Sequence, residues 1–381
     1  MAGFSFLHLS DLHIGRRFHG FSLLEDQAHL LAQVVTIAKE RAVSAVLIAG
    51  DFFDSTQPSA DAVALADRFL SDLVAVCPVL LTAGNHDSPE RLQFGSKLLA
   101  KSNLHIAGVA SDKPLSVVFE DEFGPVTIDL LPFTRAASVR PLFPDDVLDT
   151  CESAVKAVLR RSASGDGRRI LVAHQFVVSG SQQPIESESE IRYVGGSGEV
   201  DCSAFAGYTY VALGHLHGPQ SIGSDTVRYS GSLMKYSFSE VNHVKGVNLV
   251  RLDAKGVENI ESIALTPLRD MIELEGTFSE LLALGEIWQK EAHEKRSAYL
   301  RVKLKDEHWP LDAMNRLRGF FPYIVTLEMS GAEKEINERY EPVLPSHDPL
   351  EQFVHFFKEQ SGSELSIRQA SWLKDVFDDS L

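Results

Sequence analysis

Seven side chains able to bind a metal ion, Asp11, His13, Asp51, Asn85, His174, His215 and His217, stand in five short motifs, each placed just after an apolar run. The motifs are SDLH, GDFFD, GNHD, AHQ and GHLH, and GNHD also carries His86 and Asp87. In GHLH the histidines lie two residues apart, so at a strand end both rings can face one object. Any single motif has an ordinary explanation. His-x-His also occurs in surface turns, Asp11 can cap a turn, Asp51 can cap a helix, His174 can be a hydrogen-bonded core histidine, and GN can be a tight turn. As a set, carboxylate, amide and imidazole suit Mn²⁺, Fe²⁺, Zn²⁺ or Mg²⁺ rather than a thiolate-seeking metal. The number of ligands exceeds the needs of one ion. It suits two ions about 3.5–4 Å apart sharing a carboxylate, an arrangement that serves in-line displacement at phosphorus.

Such a set works only if the chain gathers it. FSFLHL, AVLIAG, PVLLTAG, PVTIDLLPF, RILVAHQF, YTYVALGH and VRYSGS read as strands, and helical periodicity over 22–42, 59–75 and in PERLQFGSKLLA reads as intervening helices. The alternation predicts an α/β layer architecture, whose ligands bind at the carboxyl ends of strands, where the motifs fall. From about Thr266 the order strand, helix, strand, helix, strand predicts a small second α/β domain. ERYEPVLPSHDP reads as a linker, and 350–381 as two short amphipathic helices broken at SGSE, rich in apolar residues such as Phe356, Phe357 and Trp372. Residues 179–200 read as a long polar loop with an acidic stretch near Glu186.

With 36 basic against 53 acidic residues the formal charge is −17, which argues against gripping nucleic acid by bulk electrostatics. A polyanion would have to be held locally, and bound cations are one means. The cysteines, Cys77, Cys151 and Cys202, show no CxxC spacing, which fits a reducing cytoplasm. No apolar run predicts a membrane span.

Asp-x-His, GD, GNHD, His and GHxH in this order resemble the calcineurin-like metallophosphoesterase family over roughly residues 4–235. The resemblance implies a two-sheet sandwich flanked by helices. It implies Asp11, His13, Asp51 and His217 on one metal and Asp51, Asn85, His174 and His215 on the other, with Asp51 bridging. His86 matches the family's catalytic histidine, which Asp87 is expected to orient. The family's protein phosphatases carry an Arg after the second Asp of GDxxD and a Glu after GNH, and this sequence has neither.

HLSDLHIGRRFHG, AGDFFD, AGNHDSPERL and ALGHLH instead resemble the DNA-repair nucleases of the family, and PLRDMIELEGTFSELL is similar to the start of their capping domain. That resemblance implies a Mn²⁺-dependent enzyme, exonucleolytic 3′ to 5′ on duplex ends and endonucleolytic on single strands and hairpins. It divides the chain into a nuclease domain (1–265), a DNA-capping domain (266–335), and a linker with closing helices (336–381) that dock an ABC-type ATPase. ATP would belong to that partner, because no GxxxxGK[ST] loop is present. Homodimerisation is expected through Val63, Phe69, Leu70, Leu73, Leu92, Leu98 and Leu99. Arg16, Arg17, His19 and Arg135 are the candidate phosphate contacts. The alternatives are a small-molecule phosphodiesterase or phosphatase of the same fold, and an inert scaffold.

Overall fold

Apolar runs buried on both faces form the central strands of two sheets packed face to face. The computed structural model describes residues 3–162, 167–180, 182–190, 198–330, 369 and 373. The linker and closing helices therefore lie outside the described residues, except Gln369 and Leu373. In the first six-stranded sheet the order is Gly256–Ala264, Gly246–Asp253, Ser5–Leu9, Ala45–Ala49, Val79–Thr82, Leu104–Ala107. Its last four strands are parallel, and the first two form an antiparallel hairpin. The second sheet runs Gln220–Ile222, Ser224–Tyr229, Tyr210–Gly214, Arg168–His174, Gly124–Leu131, Leu115–Asp121, with antiparallel edges around four parallel strands.

Period-two alternation explains the unbroken apolar runs. Phe6, Leu47, Leu80, Ile128, Val172 and Tyr210 fill the space between the sheets. Their neighbours Leu7, Val46, Ile48 and Leu81 face outward onto the helices Leu24–Glu40 and Ala60–Val74, where Leu30, Val34, Phe69 and Leu73 meet them. Ser59 starts the second helix as expected, its hydroxyl accepting from Ala62 N at 3.3 Å. PERLQFGSKLLA differs from expectation. It breaks into Pro89–Gln93 and Ser96–Leu99 because Gly95 turns left-handed at φ +74°. Phe69 and Leu73, expected at a dimer surface, belong to the core at 3% and 0% exposure. Their helix presents them inward to the sheet.

A separate three-stranded parallel sheet, Met271–Gly276, Tyr299–Leu304 and Ile324–Met329, carries the helices Phe278–Lys290 and Ala313–Arg318 in the expected order. It has its own core around Leu281, Leu300, Val302 and Phe321. Arg269 joins it to the first helix through Asp26 at 2.9 Å and Glu25 at 2.6 Å. No described helix is long and apolar enough to cross a membrane.

Two buried polar contacts hold the large sheets in register. His8 reaches across with Nε2 3.1 Å from the Leu213 carbonyl, so Nε2 carries the proton and Nδ1 accepts from Tyr210 OH at 3.0 Å. At the far end from the motifs, Asp121 accepts from Phe4 N of the first sheet at 2.7 Å and pairs with both terminal nitrogens of Arg168 of the second. The Arg168 hydrogen bonds lower the Asp121 carboxyl to about 2. A lowered carboxyl stabilises the fold above its unfolded pKa and loses that contribution as the pH falls through the folded one. Asp121→Asn should cost about 2 kcal/mol in a denaturant melt at neutral pH. The gap to wild type should narrow as the pH falls below about 4.

At the motif end the sheets touch. A Cβ on Gly214 would lie 1.8 Å from the Ala49 carbonyl oxygen and 2.8 Å from His174 Nδ1. Gly214→Ala is therefore expected to lose about 2 kcal/mol or more of stability. It should also weaken divalent-cation binding measured by calorimetry, since the sheets can admit the methyl only by separating.

Candidate metal centre

Each motif follows the carboxyl end of a parallel strand, and the sandwich brings those ends together. Asp11 and His13 follow Ser5–Leu9, Asp51 follows Ala45–Ala49, and Asn85 and His86 follow Val79–Thr82. From the facing sheet, His174 ends Arg168–His174, while His215 and His217 follow Tyr210–Gly214. The chain leaves these strands abruptly. Asp11, His13, Asp51 and His215 have φ of 54°, 43°, 47° and 109°, a left-handed backbone that costs a non-glycine residue on the order of 1 kcal/mol. Surrounding bonds enforce it: Asp11 N donates to Gly50 O at 3.1 Å, His13 N to Asp51 O at 2.9 Å, and His215 N to Asp11 Oδ1 at 3.0 Å. Gly84 is required because a Cβ there would sit 2.1 Å from Asp51 Oδ1.

Ligand atoms of Asp11, His13 and His217 lie within 4.8 Å of one another, and so do those of Asp11, Asp51 and His174. His13 and His217 face each other through Nε2 atoms 3.2 Å apart. Asp51 Oδ2 lies 3.7 Å from His13 Nε2 and 3.4 Å from His174 Nε2, the position of a bridge between the two groups. Asn85 Oδ1 is 3.0 Å from His174 Nε2 and 2.9 Å from His215 Nδ1. The structure thus brings all seven candidate ligands together.

The electrostatics fit cations. His174 Nδ1 must donate to the Ala49 carbonyl at 2.8 Å, which turns its other nitrogen toward two oxygen acceptors. Burial alone would lower His174, but the Asp51 carboxylate outweighs it and raises the ring to about 9. Burial raises the Asp11 carboxyl to about 8, against the pull of His174. Burial also opposes ionisation of Asp51, yet His174, His13 and His86 hold it well below the usual carboxylate range. Burial lowers His215 and His217 to about 3, leaving both neutral with lone pairs to offer. The raised Asp11 and His174 both favour added positive charge at this point, and the hard and borderline donors match Mn²⁺, Fe²⁺, Zn²⁺ or Mg²⁺.

His86 lies beside this cluster, with 21% of its side chain exposed and Nε2 4.0 Å from Asp51 Oδ2. Its Nδ1 is 3.0 Å from the backbone carbonyl of Asp54, an obligate acceptor, so Nδ1 carries the proton. This corrects the expected role of Asp87. The Asp87 carboxylate is occupied by the N–H groups of Phe52, Phe53 and Gly84 at 3.1, 2.9 and 2.8 Å, tying the GDFFD loop to the GNHD loop. Asp54, not singled out from sequence, has the larger part. Its carboxylate binds Arg16 at 3.0 Å and stands 3.3 Å from His13 Nδ1. The repeated Asp of GDFFD was the available signal. Arg16 also stacks over Tyr236 at 4.8 Å, and Arg135 lies over Phe133 at 4.9 Å. A cleft of about 410 Å³ opens beside Arg16, Arg17 and Arg301 of the three-stranded sheet.

Comparison with known proteins agrees with this geometry. The model of the calcineurin-like phosphoesterase family matches residues 4–219. That of the type 5 capsule protein repressor C-terminal domain matches residues 267–361. The chain is 29% identical over 378 residues to the SbcD subunit of the nuclease SbcCD from Staphylococcus epidermidis, covering 97% of each. Among solved structures, it is similar to a dimetal phosphatase from Danio rerio (16% identity, 70% of this chain and 100% of that one, TM-score 0.40). TT1561 of Thermus thermophilus is another (12% identity, 68% and 99%, TM-score 0.37). Ligand-bearing strand ends, a mixed-donor centre and a family match over those same residues lead to one conclusion: the chain belongs to the calcineurin-like phosphoesterase family and is a metal-dependent phosphoesterase.

Proposed function

We propose that this phosphoesterase is a two-metal DNA nuclease, the nuclease subunit of an SbcCD-like DNA repair complex acting in the cytoplasm. The observation that carries the chemistry is the contrast among imidazoles. The side chains of His13, His174 and His217 are 1%, 0% and 2% exposed, whereas His86 is 21% exposed with Nδ1 committed to a backbone carbonyl. The relative from Staphylococcus epidermidis, named as part of the nuclease SbcCD, supports DNA as the substrate.

In this reading Asp11, His13, Asp51 and His217 would hold one Mn²⁺ ion, and Asp51, Asn85, His174 and His215 the other. Bound ions of this kind polarise phosphoryl oxygens and acidify water at neutral pH. His86 acts as general acid in its imidazolium form: as a water oxygen bonds to phosphorus and the P–O bond to the leaving group breaks, Nε2 passes its proton to the leaving oxygen while Nδ1–H stays on the Asp54 carbonyl, which fixes the ring. Asp87 keeps His86 in place through the backbone. Asp54 holds Arg16 at the cleft, and Arg16, Arg17 and Arg135 contact phosphates, giving an acidic chain a local basic lip. Residues 1–265 form the nuclease domain, 266–335 the DNA-capping domain, and 336–381 the linker and helices that dock an SbcC-like ABC-type ATPase. The activities assigned are 3′ to 5′ exonuclease on duplex ends and endonuclease on single strands and hairpins.

A homodimer is also part of the proposal. Phe94, Val63 and Leu99 are 86%, 47% and 37% exposed around an apolar groove of about 500 Å³. An exposed apolar patch of this kind suits a second copy.

Purified chain with Mn²⁺ should shorten end-labelled blunt duplex stepwise. His86→Ala should slow cleavage by about 10²–10⁴-fold with Mn²⁺ binding unchanged. Intact DNA beside hydrolysis of a chromogenic phosphodiester would favour a small-molecule enzyme instead. Phe94→Asp should shift the chain from dimer to monomer in sedimentation, with its melting temperature retained.

A further inference from the structure

The acidic stretch of the 179–200 loop has no evident use to an enzyme acting on a polyanion. Its geometry gives it one. Ile185 N donates to Gln220 Oε1 at 2.8 Å, and Glu188 N donates to Ser239 Oγ at 3.1 Å, so the segment is docked on both flanks of GHLH. The Glu190 carboxylate turns inward, accepting from His217 N at 2.5 Å and from Ser187 N at 2.8 Å. Ser189 Oγ lies 2.6 Å from His217 Nδ1 and donates to Glu240 Oε1 at 2.5 Å. Glu240 is fully buried, and its other oxygen accepts from Lys245 Nζ at 2.6 Å. Lys245 also donates to the His217 carbonyl at 2.7 Å and to Ser232 Oγ at 2.9 Å.

The proton order follows from donor and acceptor rules. Lys245 only donates and the Glu240 carboxylate only accepts, so the Ser189 hydroxyl proton points at Glu240. Ser189 Oγ is then an acceptor toward His217, and the imidazole proton must be on Nδ1. That leaves the Nε2 lone pair directed at His13 Nε2, 3.2 Å away, and at the Asp11 side of the centre. The backbone N–H, backbone carbonyl and Nδ1 of His217 are each held by a member of this group.

We infer that Ser189 and Glu240, backed by Lys245, are positioning residues for the metal centre: the acidic segment is a latch that holds His217 in the tautomer with its proton on Nδ1 and its Nε2 lone pair facing the centre, and sets the affinity of one of the two metal positions. The inference rests on the two-metal reading of the site. Partners of this kind typically alter metal affinity by about 10–100-fold.

Mn²⁺ binding followed by loss of the free-ion EPR signal tests it without reference to catalysis. Wild type should bind two equivalents. Ser189→Ala, which changes no charge, and Glu240→Gln should each weaken one equivalent by about 10–100-fold and leave the other unchanged. Ser189→Thr, which restores the hydroxyl, should bind like wild type, and circular dichroism melts identify variants that are folded. If Glu240→Gln fails to fold because Lys245 is left unpaired, the serine pair carries the test. Folded Ser189→Ala binding both equivalents as wild type does would overturn the latch while leaving the two-metal reading intact. Wild type binding no Mn²⁺ would overturn both.

Discussion

The metal centre exists because two sheet edges approach closely enough for a histidine of one to hydrogen-bond the backbone of the other. His174 Nδ1 meets the Ala49 carbonyl at 2.8 Å, and Gly214 leaves no side chain in the gap. Asp11, Asp51 and Asn85 come from one sheet, and His174, His215 and His217 from the other. A small separation would divide the ligand set. The core between the sheets, with Phe6, Leu47, Val172 and Tyr210, therefore positions the site as well as stabilising the fold. His8 and the Asp121–Arg168 pair hold the same alignment farther from the centre.

Such a site works against folding until it is filled. Asp11 retains its proton to about 8, His174 to about 9, and several ligands sit in left-handed backbone. The raised Asp11 carboxyl and the left-handed residues are costs of gathering ligands in a buried site, whereas the raised His174 ring reflects a favourable pairing with Asp51 that offsets part of them. Cations would replace the protons, so metal binding and stability are linked, and binding should release protons. The fold supplies the compensating energy from its apolar layers, which surround the strand ends on both sides.

Net charge is a poor guide to the field at the cleft. Part of the acidity is used internally: Asp26 anchors Arg269, Asp121 anchors Arg168, Asp129 pairs with Arg169, and Glu240 with Lys245. Those carboxylates face cations inside the molecule. Arg16, Arg17 and Arg301 line one cleft together with Glu188, so basic groups are gathered there despite the overall −17.

The chain by itself determined which atoms were available and how each short piece would bend. Ligand types, the apolar strands before them, the Ser59 cap and the strand–helix order after Thr266 are all local properties, set by side-chain chemistry and backbone preference. Elements with weaker local signals were not legible. The hairpin Gly246–Asp253 and Gly256–Ala264 and the edge strand Leu115–Asp121 went unrecognised, the latter being mostly exposed and stabilised by pairing. Tertiary structure alone decided that His86 leans on Asp54 rather than Asp87, that Phe69 and Leu73 belong to the core, and that Ser189 and Glu240 meet behind His217. Contacts between residues far apart in the chain follow from how sheets and loops pack. No spacing along the chain encodes those distances.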